Sequence, residues 1–419
     1  MNSQIIMPAE IKKTLVLVLA GGKGTRLKQL TDNQSKPAVP FGGRFRIIDF
    51  PLSNCINSGF RKIGILTQYK AHTLIKHIQH AWSFLRSELN EFVEIWPAQQ
   101  QTASESWYMG TADAVYQNIN TIKSHAPKYV LILAGDHVYK QDYSLMLLDH
   151  IEKKAQVSVA CIEVPVSEAS SFGIMGIDEN ENITQFVEKP KNPPTIPGNP
   201  EKALASMGLY IFNTDFLIDL LEKDAKDATS AHDFGKNILP SLVGKAKIMA
   251  HPFSKSCVLN EDKAPYWRDV GTLDSYWEAN IDLTNIVPDL NLYDSHWPIW
   301  STQEQLPPAK FVFSQDNRKG QALDSLVSSG CIVSGSNISH SLLFSKVHVH
   351  SYCHIENSVI LNNCEIGRHV FLKNVILDEN CVIPEGMKIG YDMEEDRKHF
   401  EVSEKGIVLV TKEALEALK

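Results

Sequence analysis

The chain has 419 residues, of which 43% are apolar and 21% charged, and its formal net charge is -8. This length predicts two or three domains with buried cores, and the acidic balance argues against nonspecific binding to nucleic acid or to an anionic membrane. The seven cysteines include no C-x-x-C pair, which argues against a disulfide framework or a zinc site. The first thirteen residues lack the apolar segment of a signal peptide, so we expect a cytoplasmic protein.

The first three hundred residues alternate between apolar runs and segments that resemble helices. Residues 15–20 and 129–134 are continuous apolar runs of the kind that form parallel strands buried on both faces. Further candidates are strands at 157–164 and 209–212 and helices at 71–85 and 111–122. This alternation predicts an α/β fold with a mostly parallel, Rossmann-like sheet, whose ligands bind beyond the carboxyl ends of the strands. Gly21 and Asp136 would lie there.

A different pattern of apolar residues begins after residue 305. Three series repeat every 17 residues: Ile332, Val349, Ile366 and Ile383; Ile338, Ile355, Leu372 and Ile389; and Leu343, Ile360 and Leu377. Three inward residues per turn predict a β-helix of hexapeptide repeats, with three short parallel strands in each turn. We therefore expect a catalytic domain at 1–305 and a left-handed parallel β-helix domain at 306–419, which ends in a short helix at 411–419.

The strongest local motif is Leu19-Ala-Gly-Gly-Lys-Gly-Thr-Arg-Leu27, which follows the first predicted strand. Glycines let backbone N–H groups approach phosphate oxygens, and an arginine adds a planar cation. The motif is neither a Walker A loop, which ends in G-K-[ST], nor the dinucleotide motif G-x-G-x-x-G. A tight turn with a surface arginine is the alternative interpretation.

Longer blocks connect the chain to a known family. The glycine loop and Lys36-Pro-Ala38 resemble the signature of sugar-1-phosphate nucleotidyltransferases, and six further blocks resemble bacterial ADP-glucose pyrophosphorylases. The resemblance covers essentially the whole chain, including the C-terminal β-helix. The six blocks are Phe41-Gly-Gly-Arg-Phe-Arg-Ile-Ile-Asp-Phe50, Leu52-Ser-Asn-Cys-Ile-Asn-Ser58, Trp107-Tyr-Met-Gly-Thr-Ala-Asp-Ala114, Ala134-Gly-Asp-His-Val-Tyr139, Phe186-Val-Glu-Lys-Pro190 and Tyr266-Trp-Arg-Asp-Val-Gly-Thr272. The resemblance implies transfer of AMP from ATP to α-D-glucose 1-phosphate in bacterial glycogen synthesis, by an allosteric homotetramer.

The resemblance also implies the roles of individual residues. The catalytic residues would be Arg26, Lys36, Asp136 and Lys189. The nucleotide would bind Gly21, Gly22, Gly24, Thr25, Gln68, Gln99, Gly110, Thr111 and Asp113. Glucose 1-phosphate would bind Tyr108, Gly173, Glu188, Lys189 and Ser206. The cofactor would be Mg²⁺, held by Asp136 and Asp269.

These residue types suit the implied reaction. Both substrates are anions, so catalysis must offset their repulsion and position them. Two carboxylates can hold a hard cation that bridges phosphates, and Lys189 and Arg26 can neutralise phosphate charge. The attacking phosphate oxygen is already ionised near neutral pH, so we expect no dedicated general base.

The resemblance is weaker in the regions that bind allosteric effectors in the family. Some bacterial members carry basic residues just before the Lys-Pro block and at the C-terminus, where this chain has Asp32-Asn-Gln-Ser35 and Glu413-Ala-Leu-Glu-Ala-Leu-Lys419. A bisphosphate needs several cations for tight binding. We therefore expect weak activation by fructose 1,6-bisphosphate, or another effector such as fructose 6-phosphate, pyruvate or AMP. Arg44, Arg46 and Arg368 are candidate effector ligands.

Three other functions stay open at this stage. The chain could use UTP or dTTP instead of ATP, or it could be a regulatory subunit without activity, although all five charged residues of the predicted site are retained. A β-helix can also belong to an acyltransferase with a catalytic histidine. We expect the β-helix histidines instead to be structural residues at the corners of coils, and they are His340, His348, His350 and His354.

Overall fold

The computed structural model describes residues 3–22, 24–98, 107–259 and 264–418. The chain divides into two compact units, the first formed by Met1–Gly22, Pro51–Gly135 and Lys140–Leu259, and the second by Lys23–Phe50, Asp136–Tyr139 and Asn260–Lys419. Each unit is described separately below. The domain boundary between residues 305 and 306 stays a prediction. None of the helices in the described ranges has the length and apolar character that a membrane span requires.

The first unit is built on a nine-stranded sheet. At its centre, Thr14–Leu19 pairs in parallel with Lys62–Thr67 on one side and with Tyr129–Ala134 on the other. These strands are apolar and buried because neighbours cover both faces of the sheet. The main path through the sheet is Ile183–Glu188, Gly173–Ile177, Lys202–Asn213, Tyr129–Ala134, Thr14–Leu19, Lys62–Thr67 and Phe92–Pro97. Val157–Pro165 joins Lys202–Asn213 and the parallel strand Ile248–Pro252.

Part of this sheet is antiparallel, which the sequence did not indicate. Lys202–Asn213 runs antiparallel to Tyr129–Ala134, to Val157–Pro165 and to Gly173–Ile177. It is longer than the candidate at 209–212, and its register shifts between Ser206 and Tyr210. The predicted α/β class with a parallel central sheet is confirmed, and so is the C-terminal β-helix described below.

Short helices accompany the sheet of the first unit. The predicted helix at 71–85 ends at Ala81. The candidate at 111–122 is two helices with a break at Gln117 and Asn118. The Asp142 carboxylate caps Tyr143–Glu152 by accepting a hydrogen bond from Ser144 N. The helices are Ser3–Lys12, Ala71–Ala81, Thr111–Tyr116, Ile119–His125, Tyr143–Glu152, Thr214–Asp224 and Leu239–Leu242, with 3₁₀ turns Ser87–Leu89, Val166–Ser171 and Phe253–Lys255 and a π-helical turn Phe234–Ile238. The helix Asp49–Asn57 begins in the second unit and ends in the first.

The second unit begins with short elements that carry most of the charged site residues. Its 3₁₀ turns are Thr25–Thr31, Lys36–Ala38 and Asp282–Thr284, and its small antiparallel pairs are Pro40–Phe41 with Phe45–Arg46 and His137–Tyr139 with Trp267–Asp269. The helix Leu273–Ile281 starts at a capping box in which Thr272 and Ser275 bond each other's backbone N–H groups.

The rest of the second unit is a parallel β-helix with three faces. One face stacks Lys310–Val312, Ile332–Ser334, His348–Val349, Glu365–Ile366 and Val382–Ile383; the next stacks Gln321–Leu323, Asn337–Ser339, His354–Glu356, Phe371–Lys373 and Lys388–Ile389; the third stacks Leu326–Val327, Leu342–Leu343, Val359–Ile360, Val375–Leu377 and Val408–Val410. The outlying elements are the hairpin Ser314–Gln315 with Arg318–Lys319, the helices Met393–His399 and Lys412–Glu416, and the strand Glu401–Val402. The last helix lies within the predicted 411–419, with Thr411 as its cap.

The core of the β-helix follows the predicted series with one correction. The prediction that Ile332 points inward is wrong, because its side chain is 38% exposed whereas Val333 is fully buried. Val333 pairs with Val349, so the spacing between these two coils is 16 residues and not 17. The third face also carries outward apolar residues such as Val359, which pack in one cluster with Leu273 and Tyr276 of the helix Leu273–Ile281.

Candidate functional site

The predicted site residues fall into two groups, one in each unit. Arg26, Lys36, Asp136 and Asp269 lie in the second unit. The residues predicted to bind glucose 1-phosphate and most of those for the nucleotide lie in the first unit. Gln99 lies outside the described residues.

A two-stranded antiparallel pair brings the two acidic residues together. In the pair of His137–Tyr139 with Trp267–Asp269, Asp269 lies opposite His137, and Asp136 immediately precedes that strand. Residues 133 positions apart in the chain therefore present their carboxylates at one place. The adjacency of Asp136 and Asp269 is a consequence of strand register.

Lys36 lies between these carboxylates. Its Nζ is 3.1 Å from Asp136 Oδ2 and 2.5 Å from Asp269 Oδ1, and the residue is only 4% exposed. Burial acts to lower the pKa of Lys36, but the charges of Asp136 and Asp269 outweigh it and raise that pKa above its usual value. Burial likewise opposes ionisation of both carboxyls, yet Lys36 and His137 hold the pKa of Asp136 at about 2 and lower that of Asp269. The three groups are thus charged at neutral pH.

His137 adjoins this cluster. Its Nε2 is 3.5 Å from Asp136 Oδ1, and its ring packs edge-on against Trp267 with 4.9 Å between centroids. Its Nδ1 is buried and has no hydrogen-bond partner within the described part of the chain. Asp136, His137 and Asp269 each offer a ligand atom, and these three atoms lie within 4.8 Å of one another. Such a group could hold a metal ion.

Arg26 and two glycines complete the cluster in the second unit. Arg26 Nη2 is 3.4 Å from Asp269 Oδ2, and most of the Arg26 side chain is exposed. A Cβ on Gly271 would lie 2.7 Å from Arg26 Nη2 and 2.9 Å from Asp269 Oδ1, so a larger residue there would force one of these side chains to shift. Gly24 has a φ of 65° and precedes the 3₁₀ turn that starts at the exposed Thr25.

In the first unit, Gln68 connects Gly21 of the predicted nucleotide set with Tyr108 of the predicted glucose 1-phosphate set. Gln68 Oε1 accepts a hydrogen bond of 2.8 Å from Tyr108 N, and the Gln68 side chain packs beside Gly21. The Tyr108 hydroxyl accepts a hydrogen bond of 3.1 Å from Asn118 Nδ2, and burial raises the pKa of Tyr108. Gly22 is exposed, with open space where a Cβ would point.

The segment from Gly110 to Asp113 is fixed by a second loop. A Cβ on Gly110 would lie 2.3 Å from the carbonyl oxygen of His232, which itself accepts a hydrogen bond from Ala112 N. The Thr111 hydroxyl donates to Asp233 Oδ2 at 3.1 Å and accepts from Phe234 N at 3.0 Å. Asp113 Oδ2 accepts from Met109 N at 2.8 Å.

The predicted residues for glucose 1-phosphate lie on neighbouring strands. Glu188 is opposite Gly173, and a Cβ on Gly173 would lie 2.8 Å from Glu188 Oε2. Burial, reinforced by the charge of Asp233, raises the pKa of Glu188. Lys189 is exposed, with a φ of 48° and a hydrogen bond of 3.0 Å from its N–H to Phe172 O. Ser206 lies at the register shift of the strand Lys202–Asn213.

The three candidate effector arginines make different contacts. Arg44 packs over the ring of Phe45 at 5.6 Å. Arg46 donates to Gln34 Oε1 at 3.1 Å and to the carbonyl of Ala38. Arg368 lies over the ring of Tyr352 at 5.5 Å in the β-helix.

Two contacts of the candidate site could not be read from the sequence. Asp233 fixes the 110–113 segment although it was not among the predicted site residues, and its Oδ1 also accepts hydrogen bonds from Gly235 N and Lys236 N. Gly271 belongs to the block at residues 266–272, but the sequence does not show that it lies beside Arg26, which is 245 positions earlier in the chain.

Two family models match successive parts of the chain. The family model described as nucleotidyl transferase matches residues 15–286, and the model for the GlmU-like C-terminal hexapeptide matches residues 307–410. The chain is 58% identical over 404 residues to a glucose-1-phosphate adenylyltransferase of Nitrosospira multiformis, covering 96% of this chain and 95% of the relative. It is 58% identical over 416 residues to that of Rhodospirillum rubrum, covering 99% and 98%, and 59% identical over 404 residues to that of Methylobacillus flagellatus, covering 96% and 94%.

Proposed function

The chain belongs to the family of glucose-1-phosphate adenylyltransferases, and on that premise we propose that it transfers the adenylyl group of ATP to glucose 1-phosphate. The products are ADP-glucose and pyrophosphate. The observation that carries the proposal is the buried ammonium of Lys36 between Asp136 and Asp269. A reaction between two phosphate-bearing anions needs fixed positive charge and carboxylates that can bind a cation, because repulsion is its main obstacle.

The reaction needs positioning and charge more than proton transfer. A phosphate oxygen of glucose 1-phosphate attacks the α-phosphorus of ATP, and the bond from that phosphorus to the oxygen bridging to the β-phosphate breaks. The attacking oxygen is already ionised, and pyrophosphate leaves as an anion. Lys36 and Arg26 are proposed to offset the charge that builds on the leaving pyrophosphate.

Mg²⁺ is the proposed cofactor, and the residues present fit it. Asp136 and Asp269 supply the oxygen ligands that this ion prefers, and Lys36 already shows that their place accommodates a cation. When bound, Mg²⁺ would neutralise phosphate charge. The Lys36 ammonium supplies a further positive charge at the same two carboxylates.

The residues of the first unit are proposed to bind the two substrates. Gly21, Gly22, Gln68, Gly110, Thr111 and Asp113 would bind ATP, together with Gly24 and Thr25 of the second unit and with Gln99. Tyr108, Gly173, Glu188, Lys189 and Ser206 would bind glucose 1-phosphate. The exposed Lys189 supplies the positive charge of this set, and the Glu188 carboxylate can accept hydrogen bonds from sugar hydroxyl groups. Gly173 supports this role, because any larger residue would place its Cβ against Glu188 Oε2, whereas glycine leaves that space open.

We extend the proposal to the physiological setting that the resemblance implies. ADP-glucose is proposed to supply glucosyl units for bacterial glycogen in the cytoplasm, with the enzyme acting as a homotetramer. Small anionic effectors are proposed to regulate it, with Arg44, Arg46 and Arg368 as candidate ligands. The lack of basic clusters at residues 32–35 and 413–419 favours weak activation by fructose 1,6-bisphosphate.

Pyrophosphate release from the purified protein tests the function. With Mg²⁺ and glucose 1-phosphate, we expect release with ATP, little with UTP or dTTP, and loss of at least about 100-fold in Asp136→Asn. Equal use of UTP would assign the chain to a nucleotidyltransferase of different base preference. Failure with every nucleotide, with and without fructose 1,6-bisphosphate, fructose 6-phosphate, pyruvate and AMP, would favour a regulatory subunit. Exposed Asp227→Asn is the matched control.

A further inference from the structure

A second group of possible metal ligands lies on the β-helix. Its members are His348, His350 and Glu365. The strand His348–Val349 pairs in parallel with Glu365–Ile366, and His348 is directly opposite Glu365. Val349 and Ile366 are fully buried in the core. Because side chains alternate along a strand, the two histidines and the glutamate all lie on the outer surface of one face.

The distances bring the three side chains to a common point. His350 Nε2 is 2.6 Å from Glu365 Oε1, and His348 Nδ1 is 3.6 Å from the same oxygen. The two imidazole rings are 4.2 Å apart between centroids. One ligand atom from each residue lies within 4.8 Å of the others. In a tetrahedral zinc site, with bonds of roughly 2 Å, ligand atoms lie about 3.4 Å apart, so small changes of rotamer suffice.

We propose that His348, His350 and Glu365 bind a divalent transition-metal ion of the zinc class. Imidazole nitrogens select Zn²⁺, Ni²⁺ or Cu²⁺ over Mg²⁺ and Ca²⁺, which prefer oxygen ligands. Three protein ligands leave one position open to water. A histidine–glutamate ion pair would need only one imidazole, whereas both histidines here are directed to one glutamate oxygen.

The side chains are accessible to an ion in solution. The exposed fractions of the His348, His350 and Glu365 side chains are 35%, 37% and 50%. The ligands come from consecutive coils, so a bound ion would cross-link them. Binding to the folded state alone raises stability in proportion to the logarithm of the metal concentration over the dissociation constant. The ion therefore acts as a structural clamp, and its site shares no residue with Asp136 and Asp269.

Titration of the full-length protein with Zn²⁺ tests the proposal, with excess Mg²⁺ present to saturate oxygen-rich sites. We expect one Zn²⁺ per chain with a dissociation constant on the order of micromolar, and binding at least about tenfold weaker in His350→Ala and in Glu365→Gln. His354→Ala is the matched control, because His354 is also an exposed β-helix histidine but stacks on Phe371. The melting temperature should rise with Zn²⁺ in the wild type and in His354→Ala but not in His350→Ala.

Spectroscopy of the copper form identifies the ligands directly. Cu²⁺ in place of Zn²⁺ should give an electron paramagnetic resonance spectrum with nitrogen coupling from two imidazoles, reduced to one in His348→Gln. Zn²⁺ affinity that is the same in His350→Ala, Glu365→Gln and the wild type would overturn the proposal. Circular dichroism of each variant without metal shows that it is folded. The rate of nucleotidyl transfer without Zn²⁺ should be the same in these variants as in the wild type. The metal-binding test therefore does not depend on the proposed function.

Discussion

Lys36 Nζ lies 2.5 Å from Asp269 Oδ1, although the two residues are 233 positions apart in the chain. The ammonium is nearly excluded from solvent and also contacts Asp136 at 3.1 Å. Its charge balances part of the charge of two carboxylates that lie close together. Lys36 therefore stabilises the fold of its unit as well as serving the proposed reaction.

Lys36→Met should lower both stability and activity. The variant keeps the volume of the side chain but leaves two carboxylates without their cation, at a cost of about 2–4 kcal/mol in the free energy of unfolding. We expect nucleotidyl transfer to fall at least about 100-fold. The control is Lys28→Met, whose exposed ion pair with Glu401 at 3.0 Å should contribute at most about 1 kcal/mol. Equal denaturant midpoints for the two variants would contradict this view.

Magnesium should stabilise Lys36→Met more than it stabilises the wild type. Without the ammonium, the exposed Arg26 is the cation that stays near Asp269, so Mg²⁺ binds the two carboxylates against weaker competition. The measurement is the melting temperature as a function of Mg²⁺ concentration. The double variant Lys36→Met with Asp136→Asn should lose the effect, and an equal Mg²⁺ response in that variant would place the ion elsewhere.

Asp233 is expected to position both proposed substrate sites of the first unit. Its carboxylate bonds Thr111 on one side and the N–H groups of Gly235 and Lys236 on the other, and a Cβ on Gly235 would lie 2.8 Å from Glu188 Oε2. Asp233→Asn replaces one acceptor oxygen with a donor. The KM for ATP and for glucose 1-phosphate should each rise about tenfold, equivalent to about 1.4 kcal/mol.

Two variants separate positioning from stability. Thr111→Val removes the same hydrogen bond from the other side and should raise the KM for ATP more than that for glucose 1-phosphate. Asp227→Asn changes an exposed turn, in which Asp227 bonds Thr229, and should leave both values unchanged. A loss of stability in Asp233→Asn with unaltered KM values would reduce Asp233 to a structural role.

Asp378 should make the stability of the β-helix unit depend on pH. Burial raises its pKa from 3.8 to about 7, with Glu379, Glu413 and Asp32 adding to the effect and the Glu379 N–H opposing it. The folded state thus binds a proton that the unfolded state has lost above its pKa of about 4. Stability should fall as pH rises from about 4 to about 7.

Asp378→Asn tests this dependence. The amide keeps an oxygen to accept the hydrogen bond from Glu379 N, which is 2.8 Å in the wild type. Urea denaturation at several pH values should show the variant gaining stability over the wild type as pH rises toward 7, with the difference constant above it. Asp316→Asn, at an exposed turn, serves as the control. A difference that does not vary between pH 4 and 8 would exclude the titration of Asp378.

Two glycines of the β-helix have similar backbone conformations but different surroundings, so they separate the cost of a positive φ from the cost of a steric clash. Gly390 and Gly386 have φ values of 85° and 77°, in the left-handed region. A Cβ on Gly390 would lie 1.7 Å from Lys373 O, whereas that on Gly386 would meet nothing within 4 Å. We expect Gly386→Ala to cost about 1–2 kcal/mol in the free energy of unfolding and Gly390→Ala about 3 kcal/mol or more. Chemical denaturation gives both values, and equal costs would refute the steric argument.

Periodicity allowed most of the architecture to be predicted. The apolar run at 129–134 is a strand with the predicted bounds, and the 17-residue series places most of the β-helix core. The error at Ile332 arose because a fixed period cannot reveal a coil that is one residue shorter. The antiparallel direction of the strand Lys202–Asn213 was not predicted, because an apolar run does not encode strand direction.

The candidate site was predictable only through blocks of sequence that resemble a family. Spacing alone cannot show that Lys36 contacts Asp269, because the contact depends on the register of the pair Trp267–Asp269 with His137–Tyr139. The role of Asp233 depends on hydrogen bonds to Thr111, 122 positions away. In both cases the chemistry of the residue was visible in the sequence and its partner was not.

The strand Val408–Val410 bears on whether two molecules of this protein can associate end to end through their β-helices. It follows the helix Met393–His399 and pairs with Val375–Leu377, where another coil would otherwise continue the stack. A parallel stack without a terminator presents unpaired N–H and C=O groups on which a second molecule could add, end to end. On this face the chain turns back and covers that open edge with its own backbone, and Glu401–Val402 covers Val408–Val410 in turn. On this face the parallel stack therefore ends in a short antiparallel strand, which does not offer a second molecule the register of another parallel coil.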